Sequence, residues 1–386
     1  MSPTTFLSRY LVPSVVTLAT LLLGTACTTA GSDLAGEVAR PPGGSLRADK
    51  PPGAFMEQLD ALLPAEGAAA VAFVDRGAAT VAFAGSPRVT ERTLFEFGSI
   101  TKVVTANLLG QLVADGTLPL DARVRDYLPD AAAGDPWAGV TIRDLAVHTS
   151  GLPAHPPDWG PLRLLLAGMI RDPFAGYDRQ RLTRAMRRTR LDPPGEQWRY
   201  SNYGYAVLGM VIERATGIAY AELVNRRVLE PAGMHDATLD GWSSDDVARP
   251  LTRRGWSARN WSFDAFAPAG ALRGSIRDGL SFLRASMDPC ARSSQVARAG
   301  CIAQESTGRP LGAGSETGIG WVRTRVDPPD GAGVTVIWHN GGTGGYSTFL
   351  GYSPETGRGV VVLTNVGRLR EIDDLSRALI AQRPER

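Results

Sequence analysis

Lysine is almost missing from this chain. Of its 41 basic residues only Lys50 and Lys102 are lysines, and every other basic position is arginine. Cysteine is nearly as scarce, with three in 386 residues, and histidine occurs four times. None of these has metal-site spacing and no H-E-x-x-H occurs, so a metal-centred hydrolase has no support, and no cofactor is expected. The net charge is only +2 and no basic stripe is interleaved with aromatics, which argues against a nucleic-acid partner. No G-x-S-x-G elbow is present, which sets aside an α/β-hydrolase. There is no internal repeat. The apolar stretch from about Leu11 to Leu23 is too short to span a bilayer as a helix.

That stretch has the length of a signal-peptide core, and Arg9 precedes it. "LLLGTAC" follows and ends at Cys27, in the manner of a lipoprotein signal, except that Gly24 stands where leucine is more usual. Two readings stay open: lipidation of Cys27, or ordinary cleavage after Ala26. Either makes residues 1–27 a signal segment and the protein exported, periplasmic or at the cell surface. Residues 28–52 are rich in Gly, Pro and small polar residues and read as a tether with a reach of roughly 25–30 Å. A lipid on Cys27 would hold the domain near a membrane. In an exported protein Cys290 and Cys301, close in sequence, read as a local disulfide; two buried free thiols are the alternative.

The folded part spans 53–382. "AFMEQLDALL" has helical spacing, and "AAAVAFVDR" and "TVAFAG" read as a strand hairpin. A helix is expected from Ser99 to about Gly116, and further helices over "NYGYAVLGMVIERATG", "AYAELVNRRVLEPAGM" and "DGLSFLRASM", the last with a capping box at Ser275. Strands return in "VTVIWH", "YSTFLGYS" and "GVVVLTN", before a last helix "IDDLSRALIAQ". Strands at both ends with helices between them predict a mixed α/β fold of the α+β kind. One antiparallel sheet, about 53–98 and 315–382, is flanked by helices and carries an inserted, mostly helical lobe, about 99–314. A cleft between the two is the natural site.

Ser99 and Lys102 stand three residues apart in "FGSITK". At a helix start they share a face, and a desolvated lysine can lose its proton and take one from a serine, which an arginine cannot. About one chain in ten of this composition would carry S-x-x-K by chance. Two further stretches add chemistry. "RYSNYGY" offers the Tyr200 phenol and the Asn202 amide; a buried tyrosine beside an N-capping Asn202 is the plainer alternative. "WHNGGTGGYS" offers His339, then Gly341 and Gly342, where a ligand could lie against the strand backbone; a glycine-rich turn is the alternative.

In this order "SITK", "YSN" and "HNG" resemble the S-x-x-K, Y-x-N and K-T-G (or H-x-G) motifs of the serine β-lactamase and penicillin-binding protein superfamily, on its class C and esterase side. "TIRDLAVHTSGLP", "VLEPAGM" and "GGTGGYSTFLGYSPETGRGVVVLTN" look familiar too, so the resemblance covers roughly 53–382. It implies the β-lactamase/DD-peptidase-like fold. It also implies acylation of Ser99, general-base work shared by Lys102 and Tyr200, and substrate contacts from Asn202. The N–H groups of Ser99 and Gly342 would form an oxyanion hole. His155 falls where class C enzymes carry a substrate-contacting glutamine. The departure is His339, which replaces a permanently charged lysine. A partly protonated histidine would give a pH-dependent hold on an anionic substrate. Arg368 and Arg370 could contact a carboxylate instead, though solvated side chains are the plainer reading. The implied substrate is a small molecule or peptide: a D-Ala–D-Ala-type peptide or a β-lactam first, an ester or acyl transfer second. A receptor that is acylated by penicillin but does not turn over is a third reading. The oligomeric state is not legible.

Overall fold

The computed structural model describes residues 51–86, 89–160, 172–287, 294–312, 314–327, 332–367 and 370–382. The signal segment, the tether up to residue 50, Cys27, Cys290 and Arg368 lie outside them. Strands from the two ends of the chain pair with one another. β1 (Ala68–Asp75) and β2 (Ala78–Gly85) form the expected hairpin. Far along the chain come β3 (Phe95–Glu96), β4 (Arg273–Gly274), β5 (Pro310–Gly312), β6 (Ser315–Thr317), β7 (Val322–Val326), β8 (Val334–Gly342), β9 (Ser347–Ser353) and β10 (Arg358–Thr364). β1 lies antiparallel to β10, from Ala69 opposite Thr364 to Asp75 opposite Arg358. The eight-stranded sheet runs β2-β1-β10-β9-β8-β7-β6-β5, with β3 and β4 as a separate pair. The predicted antiparallel α+β architecture is therefore the observed one. The short strands β5 to β7 and the β3–β4 pair were not among the expected elements.

Both faces of the sheet are buried, as the period of two in β1 dictates. Ala69, Val71 and Phe73 point to one face with Val360, Val362, Phe349 and Trp338. There they meet Phe55 and Leu59 of α1 (Gly53–Ala61) and Ile372, Leu379 and Ile380 of a C-terminal helix, Glu371–Ala381. Ala70, Ala72 and Val74 point to the other face, into a larger core with the inserted helices. Those helices include α2 (Thr101–Ala114), α3 (Ile142–Ala146), α4 (Arg179–Arg188), α5 (Asn202–Thr216), α6 (Ala267–Gly270), α7 (Ile276–Ser286) and α8 (Gln295–Gln304). Cys301, on α8, is disulfide-bonded.

Local signals held where capping chemistry was explicit. Ser275 and Asp278 make both bonds of a capping box at the start of α7. Gly217 ends α5 in the left-handed conformation that glycine adopts freely. The helix expected over "AYAELVNRRVLEPAGM" is broken into Tyr220–Val224, a π turn at Asn225–Leu229 and Glu230–Ala232. Pro231 has no N–H for the carbonyl of Arg227, and that carbonyl accepts from the Gln111 side chain instead, at 2.7 Å.

β3 leads directly into Ser99, and its Glu96 is fully buried opposite Arg273 of β4. One carboxylate oxygen accepts the Trp261 N–H at 2.7 Å. Burial pushes the Glu96 pKa up to about 7, against the pull of Arg273. The folded protein thus holds a proton that an unfolded chain releases near the ordinary glutamate value. Stability from this site is full below that value and is lost as pH rises towards about 7. Glu96→Gln keeps an acceptor for Trp261 and removes the titration. Urea-unfolding midpoints followed from about pH 4.5 to about pH 7.5 should fall less steeply in Glu96→Gln than in the wild type, by up to one proton in slope. Equal slopes would show that Glu96 is already ionised in the folded state.

Candidate active site

The chain enters the site through a turn rather than through the helix that the sequence predicts. Gly98–Ile100 is one turn of 3-10 helix, and α2 begins at Thr101, two residues later than expected. Gly98 has φ +54°, which favours glycine, and a Cβ there would lie 2.7 Å from the nitrogen of Gly342. The Thr101 hydroxyl donates to the Gly98 carbonyl at 2.6 Å and accepts the Leu272 N–H at 2.9 Å, which fixes the turn. Ser99 and Lys102 end up on one side of it, with Lys102 Nζ 3.1 Å from Ser99 Oγ.

Lys102 is completely buried. Besides Ser99 it touches Asn202 Oδ1 at 2.7 Å and the Ala269 carbonyl at 2.8 Å. Neither partner is an anion, and burial alone holds its pKa well below the ordinary lysine value. The geometry suits a neutral amine. Two N–H groups go to the amide and carbonyl oxygens, which can only accept, and the lone pair is left facing the Ser99 hydroxyl.

Tyr200 and Asn202 arrive from the start of α5. Ser201, not Asn202, caps that helix: its hydroxyl accepts the Gly204 N–H at 2.9 Å and donates to the Pro153 carbonyl at 2.7 Å. The Asn202 amide is thereby free for Lys102 on its oxygen side. Its Nδ2, though buried, has no hydrogen-bond partner among the described residues. The Tyr200 hydroxyl donates to Ser99 Oγ at 2.9 Å. Burial pushes the phenol pKa up, so Tyr200 keeps its proton at neutral pH.

The third wall is the end of β8. β7 begins only at Val322, opposite Trp338, so His339 to Gly342 pair only with β9 on their other side. The edge left open runs beside the Ser99 turn. A Cβ on Gly341 would lie 1.9 Å from the Phe97 carbonyl oxygen, whereas one on Gly342 would meet nothing within 4 Å. Close backbone packing therefore explains the first glycine, and the second borders open space. His339 is buried, and its Nδ1 lies 2.5 Å from the Asn340 carbonyl oxygen. Burial, with Lys102 adding to it, pushes its pKa down to about 3. The expectation of a partly protonated His339 near neutrality is thus overturned: desolvation keeps the ring neutral. The Asn340 amide points away from Ser99 and donates to Asp373 at 2.7 Å.

Ser99, Lys102, Tyr200 and Asn202 therefore form one bonded cluster, and the His339 ring lies 6.5 Å from that of Tyr200. His155 stacks on Trp159, with centroids 4.9 Å apart, and is not among the bonded partners of Ser99 or Lys102. Arg370 is exposed at the entry to the C-terminal helix. Two contributors were not among the candidate residues. The Ala269 carbonyl is a backbone group brought in by α6. The buried His148 ring, from "HTSGLP", lies 4.6 Å from that of Tyr200.

Known proteins can now be set beside this geometry. The family model described as Beta-lactamase matches residues 56–383. Esterase EstB of Burkholderia gladioli is 31% identical over 331 residues, 73% of this chain and 79% of its own. The D-alanyl-D-alanine-carboxypeptidase/endopeptidase AmpH of Escherichia coli K12 is 26% identical over 297 residues, 74% of each chain. A class C beta lactamase from Rhodobacter sphaeroides superposes with a TM-score of 0.71 at 23% identity, covering 85% of this chain and 97% of that one, a likeness of fold. The chain belongs to the Beta-lactamase family of serine hydrolases.

Proposed function

We propose that this chain is an exported serine hydrolase working through an acyl-enzyme on Ser99. The observation that carries the reading is the Ser99 hydroxyl held between a buried lysine nitrogen at 3.1 Å and a protonated phenol at 2.9 Å. Neutral Lys102 takes the Ser99 proton as Oγ attacks the substrate carbonyl. The N–H groups of Ser99 and Gly342, beside the close approach of Gly98 to β8, receive the developing oxyanion. Tyr200 gives its proton to the leaving oxygen or nitrogen, and the Lys102 ammonium makes good that loss. Water then releases the acyl group. Asn202 Nδ2 holds the acyl side of the substrate, which accounts for its lack of a partner.

Uncharged acyl donors suit this site best. His339 is neutral, and Lys102 is committed to Ser99, Asn202 and Ala269. That favours short esters over β-lactams or peptides that present a carboxylate beside His339. The resemblance to an enzyme named as an esterase points the same way. A D-alanyl peptide or β-lactam remains the second reading, supported by the likeness to AmpH. Export rests on the N-terminal sequence. It gains support from the bonded state of Cys301, for which we propose Cys290 as partner, because disulfides persist in oxidising compartments. We read 28–52 as the tether and 53–382 as the hydrolase domain, with Cys27 or Ala26 deciding whether a lipid anchors it.

The following is expected of purified protein lacking the signal. Ser99→Ala should abolish nitrophenyl-ester hydrolysis, and Lys102→Arg, which keeps the charge but cannot yield the proton, should lower kcat by about 10²–10⁴-fold. Turnover by Lys102→Arg at the wild-type rate would remove Lys102 as the base. The neutral amine is the active form, so kcat/KM should rise with pH through a limb lying well below the ordinary lysine range. From about pH 5 to about pH 8 a neutral ester and a carboxylate-bearing ester should follow one profile, because His339 gains no charge there. A selective loss of the anionic ester with rising pH would mean that His339 titrates after all. Mass spectrometry with a fluorescent penicillin separates the remaining readings. A Ser99 adduct that persists would favour a receptor, and one that decays a β-lactamase.

A further inference from the structure

His148 clamps the segment that carries Tyr200, and it does so twice. Its backbone carbonyl accepts the Arg199 N–H at 2.8 Å, and its ring Nδ1 accepts the Ser201 N–H at 3.1 Å. These two bonds bracket Tyr200 in the chain. The His148 ring then lies on the Tyr200 ring itself, with centroids 4.6 Å apart and planes at 36°. Trp198, at 5.9 Å, and Tyr205, at 5.2 Å, pack against the same imidazole.

A carbonyl and a ring nitrogen can reach the same stretch of chain only from an unusual backbone. His148 has φ +63°, in the left-handed region that side-chain-bearing residues rarely occupy. Among the described residues Arg76, in the β1–β2 turn, is the one other non-glycine case. Such strain persists where the surroundings over-determine it. Here the determinants are the neighbours of His148 in "HTSGLP". Thr149 donates its N–H to Asp144 and accepts from Gly195, and Gly151 accepts the Asp192 N–H. The ring is buried at 6% exposure, and its role as acceptor puts the proton on Nε2.

We propose that His148 is a positioning residue for Tyr200, holding the phenol over Ser99 Oγ through the Ser201 N–H bond and the ring contact. This rests on the reading of Tyr200 as the proton donor to the leaving group. A displacement of the phenol by about 1 Å is enough to cost about 100-fold in rate. The loss should fall on kcat and leave KM nearly unchanged, since His148 packs on Tyr200 and is not among the bonded partners of Ser99.

Two variants separate the bond from the ring. His148→Phe keeps an aromatic ring but offers no acceptor and disfavours the positive φ. His148→Asn loses the ring but places an amide oxygen where Nδ1 was, and asparagine tolerates that backbone. With neutral nitrophenyl esters, His148→Phe should lose about 100-fold in kcat, and His148→Asn should recover to within about tenfold of wild type. Near-ultraviolet circular dichroism and the thermal midpoint report folding independently. The decisive measurement is the cycle with Tyr200→Phe: in that background His148→Phe should cost almost nothing further, because the group it positions is gone. An undiminished loss in that background, or His148→Asn as poor as His148→Phe in a folded protein, overturns the positioning role. If Tyr200→Phe alone keeps the wild-type kcat, the proton-donor reading fails first and the inference falls with it. Wild-type kcat in folded His148→Phe overturns the inference while leaving that reading intact.

Discussion

Lys102 is buried without a counter-charge, and the chemistry around it follows from that. An ammonium group removed from water loses several kcal/mol of solvation unless an anion or several dipoles replace it. Here only an amide oxygen, a backbone carbonyl and a hydroxyl are available. Three dipoles do not offset the loss, so the proton is held loosely, which is the property a base needs. The same low-dielectric setting acts on its neighbours. His339 and His148 are both pushed towards their neutral forms, burial first and Lys102 second. The Tyr200 phenol is kept protonated by the same desolvation. Burial thus sets the protonation state of Lys102 and of the groups around it.

Holding that amine beside Ser99 requires two backbones to come closer than side chains allow. The Ser99 turn presses on the end of β8, with Gly98 against Gly342 and Gly341 against Phe97. Glycine is demanded by distance at both contacts and by the positive φ at the first. The late start of β7 completes the arrangement, because a longer β7 would cover the edge of β8 beside Ser99. The sheet therefore serves as more than a scaffold. Its strand lengths decide which backbone groups stay open to the cleft.

The remaining wall is made of loop, and loops hold position poorly unless bonded throughout. The segment from Asp192 to Tyr203 is tied to the "HTSGLP" turn by backbone bonds at Thr149, Gly151, His148 and Ala154, and by the Ser201 side chain. A Cβ on Gly151 would lie 1.9 Å from the Asp192 carbonyl, so this contact too depends on glycine. Two irregular segments become one rigid unit, and Tyr200 sits at its tip facing Ser99.

How much of this the sequence revealed depends on the range of the interaction. S-x-x-K was legible because both residues share one turn, and the scarcity of lysine made Lys102 conspicuous. The capping box at Ser275 and the β1–β2 hairpin are local patterns and were read correctly. One sheet shared by both ends of the chain followed from strands standing at each end, and the structure pairs β1 with β10. Other features needed the folded molecule. No local pattern marks the Ala269 carbonyl as a lysine partner, or frees Asn202 by giving the cap to Ser201. The charge of His339 depends on burial, which a tetrapeptide does not carry. The contacts of His148 carry no local signal, because they need a left-handed backbone and a partner more than 50 residues away. The sequence by itself marked Ser99, Lys102 and Tyr200 and one antiparallel sheet built from both ends of the chain. The tertiary structure alone decided which of these groups carries a proton, because protonation is set by desolvation, and desolvation belongs to the packed whole.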